Sequence, residues 1–358
     1  MKYFYFEAMP IIIKLKIMPG MSRRALLAMA AGGVPLFSQV SSYGQRSVVS
    51  LVQGEDRRKN VYNALAAIDD QIRPALKRKN YVLIKPNTVA VTNQLGCTHA
   101  DALRGIFDYL EGRFRGPVVI ADSSKDATWD AYENFHYNRV VSEYRGRKIT
   151  LVDLNEEGYV VHEIVDRDLH LTQVRLAARL FDPRAFILGS ALLKAHDNVV
   201  ATLSVKNLVM AAPLHNSRKE TKTWHDKSRY HQGYRQIQMN VAQTAKRMRP
   251  FWGATVIDGY EGMEGEGPMH GEPVPSRVAI ASTDFVAADR IGVGAMGVNP
   301  EWVGYLKYCC DASLGQYDDS KIDLRGGVAV ADIRKTYKLH PQIKRQLEWM
   351  GPLPRSQA

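Results

Sequence analysis

"YVLIKPNTVA", residues 81–90, holds an apolar run of strand character that stops abruptly at Lys85, Pro86 and Asn87. Pro86 removes a backbone N–H and biases Lys85 towards extended geometry, so the ladder ends where two polar side chains are delivered. Similar apolar runs recur along the chain as "VVSLV" (48–52), "PVVIA" (117–121), "KITLVDL" (148–154), "AFILGSALL" (185–193), "ATVI" (254–257) and "VAIAS" (278–282), with helical patterns between them. Such alternation specifies an α/β protein with a largely parallel sheet flanked by helices, as one domain or two α/β lobes. The clearest helix follows Thr98 and Asp101, which are placed as a capping box, with Leu103, Ile106, Phe107 and Leu110 on one face.

Polar residues gather after these runs: Lys85 and Asn87, then Asp122, Ser123 and Ser124, then Lys194 and His196, then Asp258 and Glu261. In open parallel sheets ligands bind beyond the carboxyl ends of the strands, so these residues are expected to share one edge. Within "NVVATLSVKNLVMAAP" (198–213), read as a helix, Lys206 and Asn207 have almost only apolar neighbours; a lysine there needs a partner or loses its hydration. In "STDFVAADRIGVGAMG" (282–297) Asp284 suits an N-cap, while Asp289 falls on the packing face and requires a cation or hydrogen-bond donors.

The composition is that of a globular chain: 358 residues, 45% hydrophobic and 24% charged. The net charge of +11 is inflated by the first 42 residues, which hold five basic side chains against Glu7; about +7 remains, dispersed. Dispersed basicity favours an anionic ligand and argues against nucleic acid. Cys97, Cys309 and Cys310 form neither a disulfide framework nor a C-x-x-C module; they are one Cys97 bridge to the pair, or buried thiols.

Two arginines precede an apolar run of about 14 residues in "MSRRALLAMAAGGVPLFSQVSSYGQ" (21–45), too short for the roughly 20 apolar residues of a membrane span. The arrangement resembles a twin-arginine export signal, with Met18 or Met21 as the true start, and implies a translocase partner and a periplasmic or otherwise exported protein. Residues 1–42 are therefore assigned to the signal, 43–340 to the α/β domain and 341–358 to a C-terminal tail.

The glycine-rich "DGYEGMEGEGPMHGEP" (258–273) fits neither a phosphate loop nor a dinucleotide fingerprint and is expected to be a mobile loop bordering the site. Residues 215–236, polar, basic and studded with aromatics, suit a lid. His215, His225, Asp226 and His231 match no compact zinc spacing, and no G-x-S-x-G elbow appears.

Taken in order, "VLIKPN", "VVIADSS", "ALLKAHDNVVATLSVKNLVM", "VIDGYEGMEGEGPMHGEP" and "IASTDFVAADRIGVGAMG" resemble the family named domain of unknown function 362 over roughly residues 48–327. That resemblance makes Lys85–Asn87, Ser204–Asn207 and Asp284–Asp289 its most distinctive elements and implies no assigned activity. Some members carry an iron–sulfur module with clustered cysteines, which this chain lacks, so no cluster is expected.

The site expected from these residues has Lys85, Lys194 and Lys206 binding or polarising a small anion, with His196 or a buried lysine as acid or base. Asn87, Ser123 and Asn207 would contact substrate; Asp258, Glu261 and Asp289 would orient the lysines or hold a divalent metal. The rival reading is a non-catalytic periplasmic binding protein for an anion or metal. A bare ion-pair scaffold would show a shallow edge in place of a concave pocket.

Overall fold

The structure, a computed structural model, describes residues 46–352 apart from 126 and 219; the export signal assigned to residues 1–42 lies outside the described residues. Twelve strands are described: β1 Ser47–Gln53, β2 Tyr81–Lys85, β3 Val118–Asp122, β4 Ile149–Asp153, β5 Tyr159–Val165, β6 Leu171–Ala177, β7 Ala185–His196, β8 Val200–Thr202, β9 Trp252–Glu264, β10 Glu272–Val274, β11 Val278–Ser282 and β12 Ile322–Arg325. Ten form one sheet with the path β12-β1-β11-β9-β7-β2-β3-β4, β8 pairing β7 and β10 pairing β9. Along that path only β11 runs antiparallel to its neighbours. A continuous sheet makes this one α/β body in place of two lobes, with β5 and β6 as a separate hairpin.

Side chains alternate across a strand, and here both faces are covered. Val82 and Ile84 of β2 join a core with the helices Arg57–Ala66 and Ala100–Leu110, while Leu83 joins the opposite core with the helices Tyr234–Met248 and Phe285–Ala295. Two buried faces explain why the strands read as nearly unbroken apolar runs.

Three local expectations change. The Ala100–Leu110 helix is capped by His99, whose ring accepts from the Asp101 N–H, because Thr98 is engaged elsewhere: its hydroxyl accepts from Asn87 N at 2.8 Å and donates to Ser190 O at 3.0 Å. Residues 198–213 are not one helix; β8 is antiparallel to the end of β7, and only Ser204–Val209 is helical. Val200, in that hairpin, holds a left-handed φ of 69°, unusual for a β-branched residue, and donates its N–H to Gln346. Gln346 is fully buried, so residues 341–352, assigned to a tail, dock onto the domain; Trp349 also donates to Trp302 O.

Candidate functional site

Strand order decides where a ligand can enter. From β2 the chain proceeds through β3 to β4 in one direction across the sheet; from β7 it proceeds to β9 in the other. The reversal lies between β2 and β7, and ligands of open α/β sheets bind beyond the carboxyl ends at such a point. A cleft of about 600 Å³ opens there, within the range of small-molecule sites. Lys85, Asn87, Ser123, Lys194, His196, Lys206 and Asn207 all line it, so every residue expected to act as catalyst or substrate contact shares one concave wall.

The register shows how two lysines from neighbouring strands reach it. Lys85 pairs with Gly189, leaving Lys194 five positions further along β7. Lys85 lies on the Leu83 face, where its ammonium donates to Asn207 Oδ1 at 2.6 Å and sits 3.4 Å from Asp122. Lys194 donates to Gly96 O at 2.7 Å and Asn87 Oδ1 at 3.3 Å. Asp122 is fixed in turn by Thr88, whose N–H and hydroxyl both donate to Oδ2.

The glycine-rich stretch is the β9–β10 hairpin, with Pro268 and Met269 at the cleft. Gly267 is required because a Cβ there would stand 2.1 Å from Ala195 O. The 215–236 segment contributes His225, Lys227, Ser228 and His231 to the wall. It is anchored: Asp226 accepts from Arg175 Nε at 2.8 Å, and that guanidinium lies 3.3 Å from the Trp224 ring centre.

Four cleft lysines, Lys85, Lys194, Lys206 and Lys227, are buried. Lys227 donates to Ser123 O, Ser123 Oγ and Met210 O. Lys206 differs: among the described residues its ammonium has neither a hydrogen-bond acceptor nor an ion-pair partner. Burial, reinforced by like charges, lowers Lys194 to about 8 and Lys206 and Lys227 to about 7, and it also lowers Lys85. Asp197 is the counter-charge that favours the protonated form of Lys206. Burial opposes ionisation of that carboxyl, but His196 and Asn198 outweigh it and hold it below the usual range.

Burial and then Lys206 lower His196 to about 4 and His231 to about 3, so both rings are neutral at pH 7. Asn198 N donates to His196 Nδ1 at 2.9 Å. The 2.9 Å approach of Asp197 to the same nitrogen is therefore not an ion pair at neutral pH. His231 Nδ1 donates to Lys227 O at 3.1 Å, leaving its Nε2 as an acceptor. The rings stack with centres 6.4 Å apart.

The three expected carboxylates stand elsewhere. Asp258 faces Arg57 Nε at 3.1 Å, and Glu261, partly exposed, lies 3.9 Å from the same guanidinium. Asp289 accepts from Ser204 N at 2.7 Å and Val205 N at 3.0 Å. It holds the start of the helix that bears Lys206, not the lysine itself. None of the three lines the cleft, and the described residues contain no group of three or more metal-ligating side chains. The three cysteines are free thiols.

Sequence pattern does not mark Lys227 or Asp197 as site residues, and it offers His231 only as one of a histidine-rich set able to bind a metal. Lys227 lies in a basic stretch where no periodicity marks a buried position. The only available signal was the density of aromatic and histidine residues around it. Together the groups can bind multiple negative charges and exchange protons near neutral pH.

The pattern that defines the domain of unknown function (DUF362) matches residues 82–294, which run from the second residue of β2 through β11 and most of the 285–295 helix. A thylakoid-associated protein of Synechocystis sp. is 32% identical over 113 residues, 30% of this chain and 31% of that protein, so the chain matches less than a third of its length. A crystal structure of a Thermotoga maritima protein covers 73% of this chain and 60% of its own at 8% identity; its TM-score of 0.40 is too low to bear on the fold.

Proposed function

This chain belongs to the DUF362 family of unknown function, and from that premise we propose that it is an exported α/β enzyme whose cleft binds a small anionic substrate. The observation that carries this is the charge balance of one concave site: among the described residues of its wall, four buried lysines face only the carboxylates Asp122 and Asp197. Desolvated cations this poorly neutralised are unfavourable in the empty protein and favourable once an anion arrives. Lys85, Lys194 and Lys227, held by oxygen acceptors, receive the anion; Asn87 and Asn207 orient two of them. Lys206, lowered to about 7, supplies proton transfer near pH 7, with the two neutral imidazoles in the same wall as hydrogen-bonding groups.

Thermal unfolding with inorganic phosphate, oxalate or ammonium chloride tests the binding step. Both anions raise the melting temperature of the wild type, ammonium chloride at equal ionic strength does not, and Lys206→Met loses most of the rise. An unchanged melting temperature with millimolar phosphate and oxalate overturns the proposal. The firm anchoring of three lysines also suits a non-catalytic binding protein, which would saturate at one equivalent without product.

Export rests on the twin-arginine-type leader at Arg23 and Arg24. Replacing both by lysine traps the protein in the cytoplasmic fraction if the leader is read by the translocase. Unaltered fractionation overturns this part. No helix among the described residues is long and apolar enough to cross a membrane.

A further inference from the structure

We propose that Lys206 is a covalent nucleophile, its Nζ forming an imine with the carbonyl carbon of a short 2-oxo carboxylate; this rests on the anion-cleft proposal above and names its substrate class.

The four buried lysines are not equivalent. Lys85 meets Asn207 and Asp122, Lys194 meets Gly96 and Asn87, and Lys227 meets three oxygens. Acceptors around an ammonium hold its proton in place, and a protonated amine has no lone pair to donate. Such lysines are built to attract a carboxylate.

Lys206 lines the same cleft at 4% exposure with no acceptor among the described residues. An amine desolvated beside other cations is the environment in which lysine serves as an imine-forming nucleophile. Burial, with like-charged neighbours that include Lys194 and Lys227, outweighs the attraction of Asp197 and suppresses its protonation. A 2-oxo carboxylate meets both kinds of lysine at once, its carboxylate held by the ammoniums and its carbonyl presented to the free amine.

His231 completes the proton inventory. The Lys206 lone pair attacks the carbonyl carbon, and the C=O π pair passes to oxygen. A proton leaves the new ammonium nitrogen for His231 Nε2 and is delivered from there to that oxygen, giving a neutral carbinolamine. The nitrogen lone pair then expels the hydroxyl, which takes a proton from solvent and departs as water. Amine, ketone and one solvent proton thus become protonated imine and water, with no oxidant or metal. The protonated imine withdraws electrons from the adjacent carbon and prepares it for C–H or C–C cleavage.

The test is reductive trapping. Full-length purified protein is incubated at about pH 7.5 with pyruvate or glyoxylate and sodium cyanoborohydride, digested, and mapped by mass spectrometry. The expected result is a reduced adduct on the Lys206 peptide, enriched over surface lysines on the order of tenfold or more, because an ordinary lysine near pKa 10.4 holds little free amine. Oxalate, which lacks a ketone or aldehyde, protects Lys206 from labelling, and Lys206→Arg loses the adduct. Labelling spread over surface lysines, or centred on Lys194 or Lys227, overturns the proposal; mapping the wild type decides this even if the variant misfolds. No adduct with a persisting oxalate thermal shift removes the imine and leaves the anion cleft standing. Loss of both removes both.

Discussion

Buried charge is handled in two ways in this molecule. On the buried side of the Phe285–Ala295 helix, Asp289 is completely buried yet accepts two backbone N–H groups, and at the start of the Arg57–Ala66 helix Asp258 faces Arg57. The Arg57 contact is close enough for an ion pair but misaligned, since neither Arg57 Nε nor Asp258 Oδ2 has a hydrogen-bond partner. Beyond β2 and β7, by contrast, four lysines are buried with two carboxylates in the wall, and Lys206 has no acceptor among the described residues. The difference separates a structural charge from a functional one: burial alone is common to both regions, whereas burial left uncompensated marks the place that awaits a ligand.

The largest expected effect is at Asp122, the carboxylate that links the cleft to its support. Asp122→Ala strips Lys85 of its counter-charge and Thr88 of its acceptor. Breaking a buried pair in this way costs about 3–5 kcal/mol, read by urea unfolding. A loss under about 1 kcal/mol would mean that Lys85 is already neutral or well solvated, breaking the contrast between paired and unpaired lysines.

Asp289→Ala comes next. It leaves the N–H groups of Ser204 and Val205 without their acceptor and is expected to cost about 2–4 kcal/mol by the same assay. Wild-type stability in this variant would show that the Ser204–Val209 helix does not depend on its buried cap.

Lys206→Met sharpens the comparison from the opposite side. Removing a buried cation that makes no hydrogen bond among the described residues leaves stability unchanged or raises it by about 1 kcal/mol, while anion-induced stabilisation is lost. Destabilisation comparable to that of Asp289→Ala would place Lys206 among the structural charges.

The smallest effect is a pH trend in that same pair of proteins. Burial depresses Lys206 to about 7 in the folded state, below an unfolded value near 10.4. Between these values the unfolded chain binds more protons, so stability from this group rises with pH; its unfavourable contribution is complete below about 7 and gone above about 10.4. Any advantage of Lys206→Met over wild type therefore shrinks from pH 7 to pH 10 in paired urea titrations. A constant difference would indicate an unshifted lysine.

The sequence by itself determined the class of fold and much of the edge on which the site lies. Apolar runs buried on both faces announce strands because each residue contributes to one core or the other, and Lys85, Ser123 and Lys194 announce themselves by interrupting such runs. It also marked Lys206 and Asp289 as buried, since their helical neighbours are apolar. Local pattern could not assign partners. Lys85 meets Asn207 across 122 residues, Lys227 meets Ser123 across 104, and Lys194 meets Gly96 across 98. Those encounters depend on strand order, on the register that runs β7 past the end of β2, and on the path of the 215–236 segment. Only the tertiary structure could therefore give Asp258 to Arg57 and Asp289 to a helix end, bring Lys227 inside, and leave Lys206 without an acceptor among the described residues, because the energy of a buried charge is set by whatever group the fold places beside it.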